Sequence, residues 1–181
     1  MKKTISVLCS LAIILVCVVG CSAAGDNPFT TDDALKGQVG DLYYVIPGNA
    51  VVDESSTDGN NAYRVPIANS VEEYALTVSC SPVEETDETP IQSMEDLREF
   101  LAYSIEAFSE EVALYEDEDI TDFLGKQVDY GFKLNTEVDG RKSVLIYALI
   151  SQKVYSVGYA AKTGFYDQAV WDNFYAQLKF V

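Results

Sequence analysis

The chain has 181 residues, 48% of them hydrophobic, with 12 basic and 29 acidic side chains and a formal charge of −17. That length suits one domain with its own core, and so acidic a balance excludes the electrostatic footprint of a nucleic-acid binder. There is no histidine, which removes the usual general base and the commonest imidazole metal ligand.

The chain begins Met1-Lys2-Lys3 and continues without charge from Thr4 to Gly25, mostly apolar between Ile5 and Val19. A basic start followed by an apolar run is the order of a secretory leader. The run is too short for a comfortable bilayer span, which needs about 20 such residues. Its end, Val18-Val19-Gly20-Cys21, resembles the bacterial lipobox, in which a small residue precedes a cysteine that receives diacylglycerol before cleavage. The resemblance implies a signal peptide over residues 1–20 and a lipid, with palmitate among its chains, on Cys21. Two acyl chains hold a protein at a membrane where one binds only marginally. The expected location is therefore the extracytoplasmic face of a cell membrane, with the lipid as anchor. The simpler alternative is an ordinary leader cut at Ala23 or Ala24, with Cys21 discarded.

Cleavage before Cys21 removes two of the 12 basic residues and none of the 29 acidic ones, leaving a formal charge of −19. It also removes Cys9 and Cys17. With Cys21 lipidated, Cys80 is the one free thiol, and no intramolecular disulfide can form. Cys80 is in phase with Tyr74, Leu76 and Val78, as a small buried hydrophobe would be.

Residues 21–40 are rich in glycine, aspartate and threonine and read as a flexible tether, leaving 41–181 for a single domain. Leu42–Ile46 is a strand closed by Pro47-Gly48. A polar loop from Asp53 to Asn61 leads into Ala62–Ile67, where Pro66 marks an edge or a strand end. Glu73–Pro82 is a third strand, followed by an acidic loop over residues 84–90. Ser93 is the N-cap of an amphipathic helix over Met94–Phe108, with Glu95 and Asp96 at its positive end. Its apolar face is Leu97, Phe100, Leu101, Ile105 and Phe108.

Val112–Tyr115 begins an acidic strand through Glu116–Asp119. Lys126–Leu134 alternates with one wet face. Asp139-Gly140 signals a hairpin into Ser143–Ile150, a run apolar enough to be covered on both faces. Ser151-Gln152 turns the chain into Val154–Ala160. Residues 167–180 close the chain as a second amphipathic helix carrying Val170, Trp171, Phe174, Tyr175 and Leu178. The fold class is α+β: a mostly antiparallel sheet of six to seven strands with two amphipathic helices packed on it.

The second half resembles the PsbP-like α/β/α sandwich, a superfamily that also includes DcrB-like bacterial lipoproteins and a yeast Ran-binding import factor. The likeness rests on Leu124-Gly125-Lys126 leading into a tyrosine-bearing strand, on Lys153–Ala161 with its Val-Tyr-x-Val-x-Tyr-Ala pattern, and on the aromatic terminal segment ending Leu178-Lys179-Phe180. It covers residues 41–181. These are core and turn positions, so the resemblance implies a fold and carries no catalytic residue onto this chain. Its known members act largely as binding or assembly partners.

Three constellations are candidates for chemistry. Asp117, Asp119 and Asp122 supply the hard oxygens calcium wants, although they lack an EF-hand pattern and alternate faces if they lie on a strand. The Asp53–Asn61 loop is a weaker cation candidate. Tyr43 and Tyr155 are the candidates for an exposed partner-binding pair, since tyrosine is enriched at interface hot spots. No cofactor is expected apart from that calcium. There is no Gly-x-Ser-x-Gly or Ser-x-x-Lys, so catalysis is not expected.

The leading expectation is a membrane-anchored, extracytoplasmic, non-catalytic binding or assembly module of the cell envelope, with an envelope protein or ligand as partner. The alternatives are an extracytoplasmic cation or small-ligand binder and a carboxylate-based hydrolase.

Overall fold

The computed structural model describes residues 27–83, 91–106 and 114–181, with backbone alone for 102–106 and 114–117. A seven-stranded antiparallel sheet forms its centre. In sequence these strands are β3 (Val51–Val52), β4 (Asn60–Pro66), β5 (Glu73–Pro82), β6 (Leu114–Asp119), β9 (Tyr130–Val138), β10 (Arg141–Ile150) and β11 (Lys153–Lys162). Their spatial order is β3-β4-β5-β11-β10-β9-β6. A three-stranded sheet has the order β1-β2-β12, from Leu35–Val39, Leu42–Ile46 and Lys179–Phe180, and a small hairpin pairs β7 (Asp122–Phe123) with β8 (Lys126–Gln127). The helices are α1 (Met94–Glu106) and α2 (Gln168–Tyr175).

Strand alternation sends side chains to two faces. On one face Leu76, Val78, Val144, Ile146, Val157 and Tyr159 are buried under α2, through Trp171 and Phe174, and under the three-stranded sheet, through Leu42, Tyr44 and Ile46. On the other face Phe132, Leu134, Tyr147, Leu149 and Val154 meet Leu97 and Leu101 of α1. Strand β10 lies between β9 and β11, and Ile146, Tyr147, Ala148 and Leu149 are all buried, as its unbroken apolar run predicts. Antiparallel β-sheet with two helices, α+β, is the fold class observed.

Local signals decode as expected at several points. Ser93 Oγ accepts from the Asp96 N–H at 3.1 Å, and the Asp96 carboxylate accepts from the Gln92 N–H at 2.9 Å, fixing the start of α1. Asp139 and Gly140 both take positive φ (48° and 68°), as the tight turn between β9 and β10 requires. Pro66 ends β4 beyond its last pairing with β3, so its missing donor costs no ladder hydrogen bond.

Three boundaries differ from the sequence reading. Residues 27–40 belong to the fold and not to the tether: Phe29 is 2% exposed and stacks on Phe174, and β1 pairs along β2. The composition of this stretch hid its two anchors, since one aromatic residue and one short edge strand are weak signals among glycines and aspartates. The strand expected over Lys126–Leu134 is broken at Val128-Asp129, where the Val128 N–H donates to Thr121 and the Asp129 N–H to Leu149. Alternation runs on through the break because both pieces are extended. Finally, the last helix stops at Tyr175, and Lys179-Phe180 pairs with Tyr43 and Leu42 as β12. Phe180 leaves helical geometry to stack edge-on against Tyr155 and Phe123, at 5.1 and 5.8 Å between ring centroids.

Candidate functional site

Among the described residues, helix α1 covers only part of its face of the large sheet. Beyond it lies a groove of about 770 Å³. Its floor comes from neighbouring strands in register: Ser79 of β5 opposes Ser156 of β11, which opposes Tyr147 of β10. One step along, Thr77 opposes Gly158, which opposes Leu145, and Ala75, Ala160 and Ser143 form the next row. Phe100 and Leu101 of α1 wall one side, and Asp139 and Arg141 mark the hairpin end. Period-two alternation places Ala75, Thr77, Ser79 and Ser81 of β5 on this face, because Leu76 and Val78 are fully buried on the other.

Gly158 shapes the floor. A Cβ there would stand 2.5 Å from Leu145 Cδ2 and 2.6 Å from Thr77 Oγ1. Its absence lets Leu145 cross over and leaves the Thr77 hydroxyl facing the groove. Tyr147 is 6% exposed and lines the same groove, its ring 5.3 Å from that of Phe132. Burial pushes its phenol pKa up, with no hydrogen bond contributing.

The residues singled out from the sequence are not brought together. Tyr155 is 2% exposed, so it forms no exposed pair with Tyr43. It lies on the face of β11 that α2 and the small sheet cover, and alternation alone does not reveal which face of a strand is covered. Tyr43 is half-buried beside a shallow cleft, with the Lys179 ammonium 4.9 Å above its ring. Asp119 is committed to an ion pair with Arg98 at 3.0 Å, and Asp122 accepts from the Gly125 N–H at 3.0 Å. The Asp117 side chain and Cys21 lie outside the described residues. Among those described, no three acidic or cysteine side chains are grouped to hold a metal ion. Asp53 accepts from the Ser55 N–H and pairs with Arg64 at 3.0 Å, and the first of these holds its carboxyl below the usual range.

A second polar cluster joins the two sheets. Lys153 Nζ is 3.0 Å from Asp41 Oδ2, which Tyr155 Oη also reaches at 3.5 Å. The Lys153 hydrogen bond holds the Asp41 carboxyl low, and burial pushes the neighbouring Cys80 thiol up. A raised thiol pKa means little thiolate and low reactivity, so Cys80 is the packing residue its phase predicts.

With the geometry in place, comparison with solved structures is informative. The chain superposes on the solution structure of cyanobacterial PsbP (CyanoP) from Synechocystis sp. PCC 6803 with a TM-score of 0.52 at 14% identity, over 89% of this chain and 97% of that one. The fold is PsbP-like. A protein of unknown function from Pseudomonas aeruginosa matches at 11% identity over 77% of this chain and 91% of that one, with a TM-score of 0.42 that adds nothing to the assignment. No family model and no curated protein matches the sequence. Identity this low speaks to the PsbP-like fold alone. No helix among the described residues is long and apolar enough to cross a membrane.

The groove was not foreseen. The signal was present in Ala75, Thr77, Ser79 and Ser81, which read as the wet face of a strand. Only the strand order shows that Ser143, Ser156 and Gly158 continue that face across three strands.

Proposed function

We propose that this chain is a membrane-anchored extracytoplasmic lipoprotein whose PsbP-like domain is a non-catalytic binding module of the cell envelope. The observation that carries the binding reading is the lining of the groove. Among the described residues it holds hydroxyls, small residues and apolar walls, with the carboxylate of Asp139 at its rim. A glycosidase-type centre needs two carboxyl groups facing one another across a substrate, and a metal-dependent one needs several converging ligands. Neither is found in this groove among the described residues. The anchor reading is supported by the leader and by Cys21 at its end.

Two measurements test the binding reading. Incubated with chromogenic glycoside, ester, phosphate and peptide substrates, the purified full chain is expected to give no turnover above the buffer rate. Turnover that a single carboxylate-to-amide change abolishes would overturn it. Millimolar calcium is expected to leave the melting temperature unchanged, since Asp119 and Asp122 already have partners. A native-state ligand would raise it, and a rise of several degrees would replace this proposal with a cation-binding one.

A further inference from the structure

Where the fold begins limits which side of the domain can lie on a membrane. The side-chain amide of Asn27 donates to Asn173 Oδ1 on α2 at 2.9 Å, and Phe29 packs on Phe174. Six peptide links join Asn27 to Cys21, and an extended chain gains at most about 3.6 Å per residue. Whatever path those residues take, Asn27 stands within about 20 Å of the lipid-bearing cysteine. The headgroup layer takes up about 5–7 Å of that reach, while a domain of this length is about 35–40 Å across. The remaining reach is shorter than the domain's radius, so the hemisphere around Asn27 is the one turned to the bilayer.

That hemisphere carries the outer face of the three-stranded sheet. Lys36 opposes Val45, and Tyr43 opposes both Gln38 and Lys179. These side chains therefore share the face turned away from Leu42, Tyr44 and Ile46 of the core. Lys36, Tyr43 and Lys179 line one shallow cleft with Phe29, next to the start of the fold. Both lysines are exposed, and neither is in an ion pair among the described residues. The carboxylate in this lining is that of Asp32, whereas Asp33 is turned to the Gly48 turn. Two cations to one anion reverses the balance of the chain without Lys2 and Lys3, which has 10 basic and 29 acidic residues.

We propose that this face docks on phospholipid headgroups, with Lys36 and Lys179 meeting lipid phosphates and Tyr43 at the water–lipid boundary. The proposal rests on the lipid-anchored reading and adds an orientation to it. Lysines next to an anionic leaflet gain from its surface potential, and tyrosine, with an apolar ring and a polar tip, suits that boundary. The acidic remainder of the surface is repelled by the same potential, which acts in the same direction as the short tether.

The test uses the lipidated chain purified from an expressing bacterium, with the lipid on Cys21 verified by mass spectrometry. It is reconstituted into nanodiscs of phosphatidylcholine with a minor share of phosphatidylglycerol, in which some headgroups carry a gadolinium chelate. The backbone amide signals of Lys36, Tyr43 and Lys179 are expected to broaden strongly. Those of Ser93 and Asp96 at the start of α1, beyond both sheets, are expected to stay sharp. Lys36→Glu with Lys179→Glu is expected to lower the broadening at Tyr43 about twofold or more, with the lipid still attached and the melting temperature nearly unchanged. Broadening that is even on the two sides, or stronger at Asp96, would overturn the inference while the lipid found on Cys21 leaves the anchor reading standing. So would a pattern that the double change leaves untouched. A chain that carries no lipid on Cys21 would overturn the anchor reading and this inference with it.

Discussion

At Gly158 the backbone of β11 passes where a methyl group would collide with two neighbours on adjacent strands. Leu145 is held by its packing and Thr77 by its strand, so neither yields easily. Gly158→Val is therefore expected to destabilise the domain by about 1–3 kcal/mol, the usual range for forcing extra carbons into a packed site, as read from urea denaturation. An unchanged midpoint would mean that the floor is looser than its register implies. A charged side chain at the start of α1 gives a second test. The Gln92 and Ser93 hydrogen bonds lower the pKa of Asp96. A carboxylate whose folded pKa is depressed stabilises the fold fully above its unfolded pKa, and that contribution is lost as pH falls from about 4 through the lower folded value. Wild type is thus expected to lose stability relative to Asp96→Asn over that acid window and to show no pH-dependent difference from it between pH 6 and 8. Parallel curves down to pH 2 would contradict the assignment.

Elements made of strong alternation were legible in the sequence, and those made of short pairings were not. Glu73–Pro82 emerges with the expected bounds because Tyr74, Leu76 and Val78 bury one face while Ala75, Thr77 and Ser79 stay off it. The end of the chain misled because Leu178 keeps helical spacing with Trp171 and Phe174. The helix nevertheless ends after Tyr175, and the chain bends so that Phe180 reaches the ring of Tyr155 and the edge of β2. The Phe180 ring, set against Tyr155, Phe123 and the Lys126 ammonium, is the main apolar anchor of this two-residue strand. Phe180→Ala is expected to cost about 2 kcal/mol, below the figure for a fully buried phenylalanine, and to speed amide exchange at Tyr43 and Val181, whose N–H groups face the β2–β12 seam. Exchange as slow as in wild type would show that β12 is secured by other contacts. Tyr155 misled for a related reason: alternation separates the two faces of a strand without saying which is covered, and this tyrosine lies on the face where the small sheet packs.

On the proposed reading, anchoring and binding fall on different parts of the chain. Cys21 precedes the first described residue, and the PsbP-like domain follows with one face sealed by α2 and the three-stranded sheet. Among the described residues, the opposite face is sealed by α1 over Phe132, Leu134 and Leu149 but not over the hydroxylated rows of β5 and β11, and this asymmetry creates the groove. No sequence window contains that asymmetry, since it arises from the pairing of strands more than seventy residues apart. A tethered domain of this kind would stay near the membrane without a spanning helix, provided the lipid is there. The measurement that bears most directly on the account is metabolic labelling with radioactive palmitate in an expressing bacterium, with Cys21→Ser in parallel. The account predicts label in the wild-type band, recovery of that band with the membrane fraction, and loss of both in the variant. An unlabelled wild-type protein that fractionates like the variant would contradict it.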